Sequence, residues 1–175
     1  MKKALAMLLI RAMLLAGAGC SRKSTPPQQP IHFYYPVWNV VYDGQTELIQ
    51  LEVRDSAEYL DDVESLLNIY LQGPVDEALR SPFPKKVTVS RYSATTNTAI
   101  VELSSNFASL SGIDLTLACA CIASTLFDLT QLERVQISAT DAQLDGMDSI
   151  TLERDDLHMI DSPVSPVDSR EATTE

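Results

Sequence analysis

Two segments of the chain repeat hydrophobic residues at the spacing of an amphipathic helix. In the first segment, the residues on one face are Leu60, Val63, Leu67, Tyr70 and Leu71. In the second segment, they are Leu115, Cys119, Ile122, Leu126 and Leu129. The capping-box spacing of Asp55 and Glu58 predicts the start of the first helix, and Gly73-Pro74 predicts its end. The second helix is expected to begin near Ser111.

Alternating hydrophobic and polar residues predict strands before, between and after these helices. The inward-facing residues of the alternation are expected to be Phe33, Tyr35 and Val37, then Ile49, Leu51 and Val53, then Val87 and Val89, then Ala99, Val101 and Leu103, then Val135, Ile137 and Ala139, and last Ile150 and Leu152. Turns are predicted at Asp43-Gly44, at 94–97 and at Asp145-Gly146. We therefore expect an α+β fold in which a single sheet of about four to five strands packs on two helices, in the order β-α-β-β-α-β.

The first twenty residues have the layout of a secretory signal, with Lys2 and Lys3 ahead of an apolar stretch over residues 4–18. Small residues then lead into Cys20, which resembles the lipobox of bacterial lipoproteins. The resemblance implies a signal peptide over residues 1–19 and a diacylglycerol on the Cys20 sulfur. Gly17 stands where lipoboxes usually carry an aliphatic residue, and Arg11 interrupts the apolar stretch. An ordinary cleaved signal and an uncleaved N-terminal anchor therefore stay open as alternatives.

Three further segments follow the signal peptide. Residues 20–30, the lipidated cysteine and a polar, Pro-rich stretch, form a tether because they hold too few apolar residues to build a core. Residues 31–157 carry all of the predicted helices and strands and form one domain. Residues 158–175 are polar and contain two prolines, and they are predicted to be a disordered tail.

The charge of the chain narrows its choice of partner. The chain has 24 acidic and 13 basic residues and a formal net charge of −11. Cleavage after residue 19 would remove three of the basic residues and leave about −14. Because binding to nucleic acid requires clustered Lys and Arg, nucleic acid is not expected as a partner. Attachment to a membrane is expected through the lipid on Cys20 alone.

The search for a catalytic or metal site finds no established motif and predicts no catalytic residue, metal or cofactor. The two histidines, His32 and His158, are expected to be solvated. The acidic groups at 61–64 and 155–156 also read as solvated charge. Asp141 begins an EF-hand-like stretch, but Leu152 stands where the loop requires a bidentate Glu.

The second helix carries two cysteines two positions apart. Residues at this spacing point to different faces, so Cys119 and Cys121 are not expected to form a disulfide. We expect Cys119 on the buried stripe and Cys121 at its flank. On the first strand, Tyr34, Pro36 and Trp38 are predicted to face outward, which makes Tyr34 and Trp38 candidates for a contact surface. The alternative is that a loop or the other end of the sheet covers them.

Several short segments together resemble the GerMN ("germane") domain of sporulation and spore germination proteins. The resemblance lies in a helix that ends in Leu71-Gln72-Gly73-Pro74, a loop with Leu79, Ser81, Pro82 and Pro84, the strand Ala99–Ser104, Ser124-Thr125-Leu126 in the second helix, and the strand Val135-Gln136-Ile137. It covers roughly residues 31–140. The resemblance implies that the structural residues of the family motif are Gly73, Pro74, Ser81, Pro82, Pro84 and Thr125. One departure is Tyr70, which stands where the family has Leu.

The resemblance implies a compact module similar to the ring-building motifs of secretion and sporulation machines. Such domains occur in lipoproteins and membrane-tethered proteins of Gram-positive and spore-forming bacteria. The function expected from it is non-enzymatic: a lipid-anchored protein-interaction module on the extracytoplasmic face of the cell membrane. Its partners would be unidentified envelope proteins, in a homo- or hetero-oligomer, during sporulation, germination or envelope assembly. The alternative is an extracytoplasmic lipoprotein that binds a small ligand.

Overall fold

A computed structural model describes residues 30–38, 48–55 and 62–157. The predicted signal peptide, the predicted tether up to residue 29, the predicted turn at Asp43-Gly44 and the predicted tail lie outside the described residues. The described elements, in chain order, are β1 (Pro30–Pro36), β2 (Ile49–Asp55), α1 (Val63–Tyr70), β3 (Val89–Ala94), β4 (Thr98–Leu103), a 3-10 helix (Ser105–Ser109), α2 (Gly112–Thr130), β5 (Arg134–Ala139), β6 (Ile150–Glu153) and a second 3-10 helix (Arg154–Asp156). The fold is α+β, as expected, with one strand more at each end than the predicted order.

The strands form two sheets, so the prediction of a single sheet is wrong. β1 and β2 make an antiparallel hairpin, and the other four strands form a sheet in the order β3-β4-β5-β6. The hairpin stays apart because its β1 edge is hydrogen-bonded to groups outside any strand. The Tyr34 N–H donates to Thr125 Oγ1 of α2 at 3.1 Å, and the Pro36 carbonyl accepts from the Arg80 N–H at 2.8 Å.

The four-stranded sheet is built around a parallel pair. β4 pairs with β5 in parallel, while β3 and β6 pair antiparallel to them at the two edges. Because α2 lies between β4 and β5 in the sequence, it provides the crossover that a parallel pair requires. The hairpin turn between β3 and β4 and the turn at Asp145-Gly146 are confirmed, the latter with positive φ at both residues.

Helix α2 is buried around most of its circumference because it contacts both sheets, β1 on the hairpin and β5 and β6 on the larger sheet. It begins directly after Ser111, as predicted, and the Gly112 N–H at its start donates to Asp145 Oδ2 at 2.7 Å. Cys121 is fully buried, so the prediction of a flank position is wrong. The length and composition of α2 would also suffice to cross a bilayer, but its burial in the domain explains its apolar character.

Helix α1 has Asp62 as its N-cap, and the Asp62 carboxylate accepts from the Ser65 N–H at 3.2 Å. Glu58, the second residue of the capping box predicted from the sequence, lies outside the described residues. Hydrogen bonds from the Ser65 hydroxyl and the Ser65 N–H lower the pKa of the Asp62 carboxyl below its usual value. The helix ends at Tyr70, and Gly73 follows with a φ of 103°, a conformation that side chains with a Cβ rarely adopt.

An aromatic cluster joins α1 to the hairpin. The rings of Phe33, Tyr35, Tyr70 and Phe83 pack with centroids 4.9–6.4 Å apart. The Tyr70 hydroxyl donates to the Tyr34 carbonyl at 2.8 Å, and the Tyr35 hydroxyl donates to the Tyr70 carbonyl at 2.7 Å. This cluster fixes the hairpin on the domain, because both tyrosines find a partner for their polar end while their rings are buried.

Candidate functional site

Strand β2 faces the opposite way from its predicted orientation. Leu51 and Val53 were expected in the core, yet they are 46% and 51% exposed, while Glu52 is only 8% exposed. Glu52 lies directly across from Phe33 of β1, a fully buried residue, and residues opposite each other on paired strands share a face. The alternation is therefore real, but its charged members point into the domain and its apolar members point out.

Buried Glu52 has hydrogen-bond partners that explain this orientation. Its Oε2 accepts from the backbone N–H groups of Val75 and Asp76, both at 2.8 Å. Arg54, two positions along the same face, donates to Glu52 Oε1 and to the Gly73 carbonyl, the latter at 2.8 Å. The guanidinium also lies 5.1 Å from the centroid of the Phe33 ring. A buried charge pair with this many partners avoids the cost of an uncompensated charge.

The Glu52–Arg54 pair stabilises the loop that carries the Gly-Pro and Ser-Pro-x-Pro motifs. A Cβ on Gly73 would come within 3.2 Å of the Ser81 Cβ, so glycine allows the two ends of the loop to approach. Pro82 is buried, and Pro74 and Pro84 are half-buried. Together with Thr125, which is buried and accepts from Tyr34, these motif residues have structural positions.

An exposed apolar surface lies on the outer face of the hairpin. We call it the hairpin surface and define it by Tyr34, Trp38, Leu48, Leu51 and Val53. Trp38 is 63% exposed, as predicted, whereas Tyr34 is half-buried. Pro36 was also predicted to face outward, but it is buried. Leu51 lies across from Tyr34, and the Leu48 carbonyl accepts from the N–H of Val37, the residue before Trp38. The pairing therefore places Leu51 beside Tyr34 on the strands and brings Leu48 close to Trp38 just beyond their ends.

The outer face of the four-stranded sheet has a different chemistry. Its charged side chains pair across neighbouring strands, Arg91 with Glu102 at 2.5 Å and Arg134 with Glu153 at 2.6 Å. Gln136 and Ser149 also form a hydrogen bond on it at 2.9 Å. A polar face of this kind is stable in water. The apolar side chains of the hairpin surface have no such explanation, which makes it the candidate contact site.

The titratable side chains singled out in the sequence do not converge on one site. His32 is partly exposed and bonds through Nδ1 to Asp128 Oδ2 at 2.5 Å, a contact that the sequence did not predict. Burial raises the pKa of the Cys119 thiol to about 12 and that of Cys121 still further, so neither is a ready nucleophile. His158 and Cys20 lie outside the described residues.

Comparison with known proteins points to one family. The family model described as Germane, sporulation and spore germination, matches residues 33–145, well over half of the chain. Among solved structures, the chain is similar to the tandem GerMN domains of the sporulation protein GerM from Bacillus subtilis, with 16% identity and a TM-score of 0.51 over 70% of this chain and 44% of that one. The chain thus spans less than half of that tandem structure.

The first GerMN domain of the same Bacillus subtilis protein, solved alone, shows a similar likeness. Its TM-score is again 0.51 at 15% identity, and the match covers 73% of this chain and 98% of that chain. At this identity the likeness concerns the fold. A search of curated proteins found no match.

Proposed function

This chain belongs to the sporulation and spore germination (Germane) family, and from that premise we propose that it is a lipid-anchored, non-enzymatic protein-interaction module outside the cell membrane. Its role would lie in spore formation, germination or assembly of the cell envelope. The partner would be an envelope protein or a second copy of the chain, by analogy with the ring-building motifs that the family resemblance implies. The hairpin surface is the proposed contact site.

One observation carries the proposal, namely that β2 buries Glu52 and exposes Leu51 and Val53. Burial of a carboxylate and exposure of two aliphatic side chains on one strand both oppose stability in an isolated domain. The hydrogen bonds of Glu52 offset the free-energy cost of burying its carboxylate. Nothing in the described residues offsets the exposure of Leu51 and Val53 to water. A partner that covers the hairpin surface would offset it, since a contact of this kind removes apolar area from water.

The non-enzymatic part of the proposal is supported by how the polar groups are used. Glu52 and Arg54 stabilise a loop, and Asp62 and Asp145 bind the N–H groups at the starts of the two helices. The Thr125 hydroxyl accepts a hydrogen bond from the Tyr34 N–H at the edge of β1. These side chains serve the fold, and none is paired with a second group in the way that general acid–base chemistry requires.

Cross-linking in living cells tests the hairpin surface. A photo-crosslinking amino acid at Leu51 is expected to give a discrete adduct with one envelope protein or with a second copy. The double variant Leu51→Glu, Val53→Glu, with the crosslinker moved to Trp38, is expected to lose at least about 90% of that adduct, because two carboxylates would have to be desolvated in the contact. Both changed residues are half-exposed, so stability should shift little.

The matched control for this test is Ile113, an apolar residue of α2 that is 64% exposed and lies outside the hairpin surface. A crosslinker placed there should give no such adduct, and Ile113→Glu should leave the adduct from Trp38 unchanged. Equal labelling from Leu51 and Ile113, or an adduct that survives the double variant, would exclude the hairpin surface as the contact site.

The lipid anchor is supported by the sequence pattern that ends at Cys20 and is tested by intact mass. Protein purified from native membranes is expected to begin at Cys20 and to carry the added mass of a diacylglycerol. Cys20→Ala should remove that mass and release the protein from the membrane fraction. Two acyl chains anchor a protein stably to a bilayer, and the variant would carry neither. An unlipidated native chain, or one that retains residues 1–19, would contradict the anchor.

A further inference from the structure

We propose that a cleft beside the hairpin surface binds a neutral group of the size of a phenol, with one hydrogen-bonding end. The cleft lies between β1, the C-terminal half of α2 and the 3-10 helix at Arg154–Asp156. The group that it receives is a tyrosine side chain of the partner, and in this respect the inference rests on the proposed interaction function.

The size of the cleft selects a single side chain. Its volume is about 150 Å³, and it is lined by Tyr34, Ser124, Phe127, Asp128, Arg154 and Leu157. A cavity of this size accommodates a benzene-sized molecule. Pockets that enclose whole cofactors or metabolites are about two to six times larger. The cleft therefore fits one aromatic ring and its substituent rather than an entire ligand of the usual size.

Ser124, which lines the cleft, has a buried hydroxyl without a hydrogen-bond partner. Ser124 is only 8% exposed, and its Oγ is the one buried side-chain nitrogen or oxygen without a hydrogen bond in the part of the chain that the structure describes. Serine on a helix commonly donates back to the carbonyl four residues earlier, but Ser124 does not. Because native proteins pair nearly all buried polar groups, this hydroxyl predicts a ligand with a hydrogen-bonding end.

The charges around the cleft favour a neutral ligand. Arg154 Nη2 donates to the carbonyls of Phe127 and Leu132 at 2.6 and 2.7 Å, and its guanidinium lies 4.9 Å from the centroid of the Phe127 ring. Asp128 accepts from His32. The two opposite charges are thus each engaged already, and together they leave no net charge for an ionic ligand to neutralise. The aromatic walls favour an aromatic body.

The position of the cleft connects it to the proposed partner. Tyr34 belongs to the hairpin surface and also lines the cleft, so a protein seated on the surface can extend a side chain into it. Tyrosine is enriched at protein interfaces, where its ring supplies contact area and its hydroxyl a hydrogen bond. A tyrosine phenol satisfies the requirements of size, neutrality and a single polar end.

Titration of the isotope-labelled full chain in mild detergent, followed by amide NMR shifts, tests the cleft directly. The two probes are p-cresol, which reproduces the tyrosine side chain, and toluene, which lacks only the hydroxyl. We expect p-cresol to cause saturable shifts around Ser124, and Ser124→Ala to raise its dissociation constant about five-fold while the constant for toluene stays unchanged. Thr116→Ala, on an exposed hydroxyl of the same helix, is the matched control.

The amide spectrum of Ser124→Ala shows whether the variant is folded, so the result stays interpretable. Shifts that do not saturate, or equal p-cresol binding by the wild type and Ser124→Ala, would overturn the proposal. If p-cresol fails to bind while cross-linking from Leu51 persists, the cleft proposal is wrong and the interaction function stands. If p-cresol binds but no partner is cross-linked, the cleft is a binding site and its assignment to a partner's tyrosine is wrong.

Discussion

Replacing Tyr70 by alanine is expected to lower the free energy of unfolding by about 3–5 kcal/mol. The Tyr70 ring is fully buried and contacts the rings of Phe33, Tyr35 and Phe83 at centroid distances of 4.9–5.1 Å. Its loss would leave a cavity at the junction between α1 and the hairpin. Since small domains are stable by only about 5–15 kcal/mol, the variant should be close to unfolding at 37 °C. Urea denaturation followed by circular dichroism measures the effect.

Tyr70→Phe separates the ring from its hydroxyl in the same experiment. This variant keeps the aromatic packing and removes only the 2.8 Å hydrogen bond to the Tyr34 carbonyl, so a loss of about 1–2 kcal/mol is expected. A loss from Tyr70→Ala no larger than that from Tyr70→Phe would show that the aromatic cluster does not hold the hairpin. The cluster also explains why tyrosine stands where the family pattern has leucine, because the phenol reaches β1 and an aliphatic side chain would not.

Periodicity predicted most of the elements because hydrophobic spacing and element type are directly linked. The buried residues of α2 include Leu115, Cys119, Ile122 and Leu126, as its pattern indicated, and β5 buries Val135 and its alternate neighbours. The pattern did not predict that α2 contacts the hairpin as well as the four-stranded sheet. A helix between two sheets is buried on more than one side, and the small residue Cys121 at its supposed flank lies in that second contact.

The orientation of β2 could not be read from alternation alone. A period of two defines two faces but does not state which one is buried, and the usual rule that the apolar face is buried fails here. The deciding interactions are the hydrogen bonds of Glu52 and Arg54 to a loop about twenty residues further along the chain. The sequence carried a faint signal, namely opposite charges two positions apart on a predicted strand, but nothing local identified their partners.

The candidate site was predicted only in part, because alternation does not show which face of a strand is buried. Trp38 was expected to be exposed and is exposed, two residues beyond the end of β1 at Pro36. Leu51 and Val53 were expected to be buried, so the larger part of the hairpin surface emerged only from the structure. The cleft at Ser124 depends on three segments far apart in sequence, β1, α2 and the end of the domain, and no local pattern brings them together.

Removing the Glu52 carboxylate should have the second large effect. Glu52→Ala is expected to lower the free energy of unfolding by about 3–5 kcal/mol, because Arg54, whose side chain is only 16% exposed, would lose the carboxylate that pairs with its charge. The N–H groups of Val75 and Asp76 would also lose the acceptor that binds both at 2.8 Å. Amide hydrogen exchange at these two residues should therefore accelerate, and urea denaturation should report the loss of stability.

Two further variants show whether the buried position of Glu52, rather than the loss of any carboxylate, causes the expected loss of stability. Glu52→Gln keeps one oxygen to accept from the loop but loses the charge pair, so about 1–3 kcal/mol should be lost. Glu102→Ala removes a carboxylate from the exposed pair with Arg91 and should leave the urea midpoint nearly unchanged. If Glu52→Ala behaved like Glu102→Ala, the inward face of β2 would contribute nothing to stability. The exposure of Leu51 and Val53 would then have no compensating interaction within the domain, and the orientation of β2 would depend on the partner alone.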